Sequence, residues 1–368
     1  MVKSLFDGRQ ISVGNISLRL SEETFIRSGG EAEVHRINDS NAVKIYKDIE
    51  RAEKLKDKLT ILCEKAPSFY ESVVAPKELA YFADNVSQTI CGFSMSFVPN
   101  AQNLEGYVWN DEIEQGEEAK FDQSTANLLY DLATGLKAIH KSYVVVGDLK
   151  PENILVSKGK AFIIDFDSTS LIPDFPGDTY TDFYIDPRLR GDTPDKPVVY
   201  NFDCEADWWS LGVIAFEMFF GISPWGGTHP KFRSDKIQRA CNYSVVGFDG
   251  AVRAINMRPF DWLDDKPRLR EFFENLFSPD PTFRYSIEYA LDWYFQRPVA
   301  KRAVYSIPTR IEASRKSTLP ALTFSNELLD FTENVRISIK EKGRTIKIRR
   351  RDEPLSSDLF LEYMLGVR

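Results

Sequence analysis

The sequence predicts an α+β protein of two lobes, a small β-rich one followed by a larger helical one. Three observations carry that expectation. The first hundred residues fall into short alternating or β-branched runs separated by turn residues, as strands do. After Pro99 apolar residues recur at helical spacing, most clearly Leu129, Leu132, Leu136 and Ile139. The chain has 368 residues, 43 % of them hydrophobic and 13 % aromatic, enough to bury the cores of about two structural units.

In the first lobe "NISLRL" alternates, "AEVHRI" and "NAVKIYK" flank a polar "NDSN" turn, and "ICGFSMSFV" is a further β-rich run. Asp48 to Lys65 is rich in Lys, Glu and Leu without Gly or Pro, which predicts a helix. In the second lobe "ANLLYDLATGLKAIH" reads as a helix, and "NILVS" and "AFIID" as short strands. A polar loop (Ser168 to Asp182) and a Pro- and Asp-rich stretch (Pro187 to Asp203) follow. An apolar helix around Ser210 to Phe220 comes next, with further helices to about Phe295. The expected boundaries are 1–98 for the β-rich lobe, 99–298 for the helical lobe and 299–368 for a C-terminal extension. In the extension "VRISIKEKGRTIKIRRR" alternates on both sides of Lys342-Gly343, a hairpin signal.

Composition removes several classes. A net charge of -8 gives no general attraction to nucleic acid. Cys63, Cys91, Cys204 and Cys241 are dispersed and form no CxxC pair, so reduced thiols are expected rather than a zinc cage or disulfide framework. The N-terminus lacks the apolar core of a signal peptide. The most apolar segment, "WWSLGVIAFEMFFGISPW", is too short for a bilayer and carries Glu217. A cytoplasmic protein with no membrane partner is the expectation. His35, His140 and His229 are dispersed and receive no role; Trp208 and Trp209 read as packing residues, and Arg349 to Arg351 as a solvated face.

The chemistry concentrates in "VVVGDLKPENILV", where a polar island interrupts apolar runs. Asp148 and Asn153 lie five residues apart, and Asp165 ends the strand "AFIID" twelve residues later. Two carboxylates and an amide carbonyl are hard oxygen ligands of the kind that suits Mg²⁺. Lys150 adds a charge that could meet a phosphate. Upstream, Gly29-Gly30 permits close backbone approach to a ligand, although a plain hairpin turn would look the same. Lys44 is an isolated lysine in an apolar strand, which calls for an anionic partner unless the strand is an edge.

These residues, in this order, resemble the eukaryotic-like (Hanks-type) Ser/Thr protein kinase family over about Ile26 to Phe295. Gly29, Val34, Ala42-Val43-Lys44, Asp148, Lys150, Asn153 and Asp165-Phe166 carry the resemblance, with "TDFYIDPR", "DWWSLG" and "DPTFR" further on. The resemblance implies a bilobal kinase fold using ATP and Mg²⁺ (or Mn²⁺) on a protein substrate. It implies Asp148 as catalytic base, Lys150 on the γ-phosphate, Asn153 and Asp165 on the metal, and Lys44 on the α- and β-phosphates. It also implies Val34 and Ala42 above the adenine and Leu155 below it. Met95 resembles the gatekeeper, and Ser96, Phe97 and Val98 the hinge. Asp207 would brace the catalytic loop and Thr181 would sit beside Asp148. The helix carboxylate that pairs with Lys44 is expected at Glu53, with Glu50 and Asp57 as competitors.

The chain also departs from the family pattern. The usual His-Arg before the catalytic aspartate is Val146-Gly147, which removes the partner of a phosphorylated activation loop. Asp-Phe-Gly becomes Asp165-Phe166-Asp167, which adds a negative charge near the metals. Arg27 and Ala32 stand where glycines are expected, and Arg188 where a glutamate usually pairs with the arginine matching Arg284; Asp186 or Glu205 would substitute. "GGEAEV", "VGD" and "DFD" resemble the bacterial branch. Two alternatives stand beside an active protein kinase: a nucleotide-binding pseudokinase or scaffold, and a small-molecule kinase of the aminoglycoside or choline type. The extension would pack on the large lobe, dimerise or recruit a partner.

Overall fold

The computed structural model describes residues 3–83, 89–105, 118–172, 174–177, 179–190, 202–226, 240, 242–243, 245, 260–280, 287, 291, 336–341 and 344–349. The chain divides into two compact units, Met1–Ala303 and Val304–Arg368. The first unit begins with a seven-stranded antiparallel sheet in the order β2-β1-β6-β7-β5-β4-β3. Its strands are β1 (Gln10–Val13), β2 (Ile16–Arg19), β3 (Phe25–Ser28), β4 (Ala32–Arg36), β5 (Asn41–Tyr46), β6 (Glu78–Phe82) and β7 (Thr89–Ser96).

The period of two divides the work of this sheet. Ile11, Val13, Val43, Ile45, Ala80, Phe82 and Cys91 join Phe6 and Leu20 in one buried cluster. The cross-strand pairs Val34↔Lys44, Lys44↔Phe93 and Ala42↔Met95 bring the candidate ligand-binding residues together on one face. Helix α1 (Ile49–Lys65) packs against β5, β6 and β7. It starts one residue after the predicted Asp48, whose carboxylate caps it by accepting from the Glu50 N–H. Ala52, Leu59 and Leu62 face inward from α1, and so does Lys58.

The helical lobe is built on α2 (Glu118–Lys141), α3 (Cys204–Phe220) and α4 (Pro267–Leu276). Leu129, Leu132, Leu136 and Ile139 are all fully buried, as their spacing predicts. Short strands form the site's floor: β8 (Gln102–Asn103), β9 (Val144–Val145), β10 (Ile154–Ser157), β11 (Lys160–Ile163) and β12 (Ser170–Leu171). The hairpin of β10 and β11 adds β8 at its edge, and β12 pairs with β9. Helix α3 is buried at every residue from Ala206 to Phe220, so it is the hub of this lobe. It starts at Cys204, six residues before the apolar run suggested, because its first turn carries Glu205 and Asp207 on the N-terminal side of that run. Trp209 stacks on Trp225 with ring centroids 5.6 Å apart, inside a cluster with Phe277. The α+β, two-lobed architecture read from the sequence is the one observed.

In the second unit the predicted hairpin is present. β13 (Arg336–Glu341) pairs antiparallel with β14 (Arg344–Arg349), from Arg336↔Arg349 to Glu341↔Arg344. Its turn at Lys342-Gly343, Arg350 and Arg351 lie outside the described residues, as do His229, Cys241 and Arg284. Among the described residues no helix is long and apolar enough to cross a membrane.

Gly92 is the tightest point of the sheet. A Cβ there would run into the backbone carbonyl of Lys44, and the β6–β7 register shifts next to it, between Ala80 and Tyr81. Gly92→Ala is expected to lower stability by about 1–3 kcal/mol through strand displacement. Thermal unfolding checks this; an unchanged Tm would show that β5 and β7 can part without cost.

Candidate active site

The catalytic-loop candidate runs from β9 to β10, and a buried carboxylate at the start of α3 holds it. One oxygen of Asp207, Oδ2, accepts from the Val146 N–H at 2.8 Å; the other, Oδ1, accepts from the Gly147 N–H at 2.8 Å. His140, at the end of α2, donates from Nε2 to Oδ2 at 2.8 Å. Its Nδ1 is buried without a hydrogen-bond partner among the described residues. Gly147 sits at φ 76, where a glycine is at ease and a side chain is not. His140 received no role from sequence. The feature that could have found it is its position one turn after Leu136 and next to Ile139, on the buried side of α2.

Asp148, only 3 % exposed, follows directly. Its Oδ1 accepts from the Thr181 hydroxyl at 2.6 Å and its Oδ2 lies 2.8 Å from the Lys150 ammonium. Lys150 also donates to the Thr181 oxygen at 3.0 Å, which closes a three-membered ring of polar contacts. Asn153 donates from Nδ2 to the Asp148 carbonyl at 2.9 Å, which turns its amide oxygen away from the loop backbone.

Lys44 reaches the loop after β11. Its Nζ is 2.5 Å from Asp165 Oδ1 and 2.6 Å from Asp167 Oδ1. Tyr46, two residues along the same face, donates its hydroxyl to Asp167 Oδ2 at 2.8 Å. Lys58 of α1 donates to the Asp167 backbone carbonyl at 2.7 Å. Burial alone would lower the Lys44 pKa, but Asp167 and then Asp165 outweigh it and hold the ammonium charged. Burial also pushes up the Asp165 carboxyl, reinforced by the neighbouring Asp167 charge. At Asp167 burial is overcome by Lys44 and Tyr46, which keep that carboxyl below its usual range. Asp165 has φ 69, an uncommon left-handed conformation for a residue with a side chain and one that marks functional backbone.

The expected helix carboxylate is not at Lys44. Glu53 is 56 % exposed and lies 3.6 Å from Lys56, and Glu50 and Asp57 are exposed as well. The cause is helical phase: with Ala52, Leu59 and Leu62 inward, Glu53 is turned outward by one residue's rotation. The inward polar position belongs to Lys58 instead.

Of the candidate adenine contacts, Ala42 is buried, while Val34, Met95 and Leu155 are half-buried. Ser96, Phe97 and Val98 are half-buried too, with the Phe97 N–H committed to the Ser40 carbonyl at 2.9 Å. Gly29-Gly30 forms the turn between β3 and β4, where the Gly29 N–H donates to the Ala32 carbonyl at 2.8 Å. A Cβ at Gly30 would meet nothing within 4 Å. Arg27 of β3 reaches the Asn103 side chain at 3.5 Å, and Asn103 pairs with Leu155, so β3 overhangs the floor strand.

Carboxylates hold the segment that bears Thr181. Arg188 binds Asp186 at 2.8 Å and Asp203 at 3.0 Å, and Arg190 binds Asp182 at 3.0 Å. Asp186 therefore serves Arg188, and the suggested bridge to Arg284 falls outside the described residues. Tyr184 donates to Glu217 of α3 at 2.9 Å. The oxygen donors of Asp165 and Asn153 fit a Mg²⁺ ion that takes its remaining ligands from phosphate and water. Among the described residues no group of three or more His, Cys, Asp or Glu side chains could hold a metal by itself.

Asp207→Asn leaves one buried backbone N–H facing an amide NH₂, so a loss of about 2–3 kcal/mol is expected. A chemical-denaturation midpoint equal to that of the parent would refute the anchoring role. Comparison with known proteins agrees with the geometry. The family model described as the protein kinase domain matches residues 74–295. The cAMP-dependent protein kinase catalytic subunit of Arthrobotrys oligospora is 34 % identical over 146 residues, covering 36 % of this chain and 26 % of that protein. Serine/threonine-protein kinase 32C of Mus musculus is 30 % identical over 114 residues, covering 30 % and 23 %. The Citron Rho-interacting kinase of Mus musculus is 33 % identical over 114 residues, covering 29 % and 6 %. The matched region thus spans about a quarter or less of these relatives' own lengths. With the family model covering more than half of its residues, the chain belongs to the protein kinase domain family.

Proposed function

We propose that the chain transfers the γ-phosphoryl group of ATP to Ser or Thr hydroxyls of a protein substrate. The observation that carries this reading is the Thr181 hydroxyl 2.6 Å from Asp148 Oδ1, beside Lys150. A buried carboxylate that already accepts a hydrogen bond from an aliphatic hydroxyl has the geometry to orient a substrate hydroxyl and take its proton. Lys150 neutralises charge on the transferred group. Lys44 grips the α- and β-phosphates, and Asn153 and Asp165 hold Mg²⁺ (Mn²⁺ serving in its place). The bound metal supplies charge neutralisation between the phosphates. Val34, Ala42, Met95 and Leu155 enclose the adenine, and the backbone of Ser96 to Val98 meets its edge while Gly29-Gly30 covers the phosphates. Two of the relatives are named as a serine/threonine-protein kinase and a cAMP-dependent protein kinase, which supports a protein acceptor. The "VGD" and "DFD" departures are our grounds for reading the chain as one of the bacterial branch.

The activation segment is read as constitutively held. The ion pairs of Arg188 and Arg190 supply permanent carboxylates where a phosphate would otherwise be needed. Gly147, in the place of the missing arginine, lies against the Phe202 ring.

The test is purified protein with labelled ATP, Mg²⁺ or Mn²⁺, and a panel of protein, sugar and amino-alcohol acceptors. Asp148→Asn is expected to reduce transfer by about a thousandfold or more while sparing ATP binding. No transfer by the parent to any acceptor would favour the scaffold reading, and transfer to small molecules alone the small-molecule kinase. A second measurement bears on the segment. Phosphatase-treated protein is expected to retain activity within about twofold, since Arg188 and Arg190 are already paired with carboxylates. A collapse after treatment would overturn the constitutive reading.

A further inference from the structure

In the protein kinase family the strand lysine is held by a glutamate from the small-lobe helix. Here that helix turns its acids outward and presents Lys58 to the site. Lys44 is not left without a partner: it meets Asp165 and Asp167 together. The two carboxylates are not equivalent. The Asp165 side chain is 35 % exposed and belongs to the proposed metal site, while that of Asp167 is 3 % exposed. Asp167 is also held at three points. Lys44 takes one carboxylate oxygen, Tyr46 the other, and Lys58 the backbone carbonyl. Lys44 thus faces two carboxylates, and Lys58 joins α1 to the backbone of the same loop. With Asp165 assigned to the metal, Asp167 is the carboxylate left for Lys44 among the described residues.

We infer that Asp167, in the third position of the metal triplet, is the positioning carboxylate for Lys44, and that Lys58 ties α1 to it through the loop backbone. The counter-charge has moved from the helix to the metal loop. This inference rests on the kinase reading for the ligand, a nucleotide phosphate gripped by Lys44, and for the metal at Asp165. Asp167 touches neither substrate nor metal in this scheme; it acts through Lys44. The competing assignment makes Asp167 a second metal ligand, which would act independently of Lys44.

A double-mutant cycle separates the two. The affinity for the Mg²⁺ complex of a non-hydrolysable ATP analogue is measured for the parent, Lys44→Met, Asp167→Asn and the pair. Lys44→Met and Asp167→Asn should each weaken binding by about tenfold, and the double variant should be no weaker than Lys44→Met alone. Glu53→Gln should bind within about twofold of the parent. Multiplying losses in the double variant would overturn the inference, because a metal ligand or a purely structural residue does not need Lys44. Parent-like binding by Asp167→Asn would also overturn it, as would an equal loss in Glu53→Gln. If Asp167→Asn fails to fold by thermal unfolding, Tyr46→Phe replaces it in the cycle, with an expected threefold loss, roughly, that vanishes in the Lys44→Met background. Tight binding without phosphoryl transfer by the parent would remove the catalytic reading and leave this one standing. A parent that binds no nucleotide would remove both.

Discussion

The contact on which the rest of the site depends is the grip of Asp207 on two consecutive backbone N–H groups. A carboxylate removed from water is costly to bury, and Asp207 is fully buried. Three donors offset that cost: Val146, Gly147 and His140. Because the donors at Val146 and Gly147 are backbone, the fixed object is the path of the chain itself. The next residue, Asp148, has its direction imposed from α3, the most deeply packed helix of the lobe. Thr181, Lys150 and Asn153 then arrange themselves on Asp148. The geometry of a short polar loop is thereby inherited from a buried helix hub, which further along also holds Tyr184 through Ser210 and Glu217.

The second centre is governed by charge balance rather than by backbone. Lys44 and Lys58 come from the small lobe, Asp165 and Asp167 from the large one, and they meet through the two carboxylates and the Asp167 carbonyl. In a region of reduced dielectric, an unbalanced charge here would be expensive, so the set is more constrained than any one member. Tyr46 completes it by giving the deepest carboxylate oxygen a donor. The φ of 69 at Asp165 is tolerated because neighbours on both sides hold the loop.

Much of this was legible in the sequence. The family resemblance implies that Val34, Ala42, Lys44 and Met95 gather around one ligand, and the observed register puts them on one face. Helical spacing predicts the buried stripe of α2, and the Lys342-Gly343 turn predicts the β13–β14 hairpin. What failed was phase in α1. Glu53 is the natural choice by residue type, but type is not direction. The usable clue was the spacing of Ala52, Leu59 and Leu62, which puts Lys58 on the inward stripe and every nearby acid off it. His140 and Asp203 were missed for another reason: their partners lie 67 and 15 residues away, and no local pattern reports such pairings.

The short connection between β5 and α1 explains why the counter-charge has moved. Tyr46 ends the strand and Ile49 begins the helix, which leaves two residues between them. A connection that short fixes where α1 starts and therefore which of its turns stands opposite Lys44. That turn presents Lys58. A lysine cannot neutralise a lysine, so a helix in this phase needs the carboxylate to come from elsewhere. The third position of the metal triplet is one residue beyond Phe166 and already beside Asp165, and there a glycine would contribute no charge. An aspartate at that position answers both lysines at once, one through its side chain and one through its carbonyl. The unusual triplet and the unusual helix then meet at one residue, because Asp167 receives a lysine from β5 on its side chain and a lysine from α1 on its backbone.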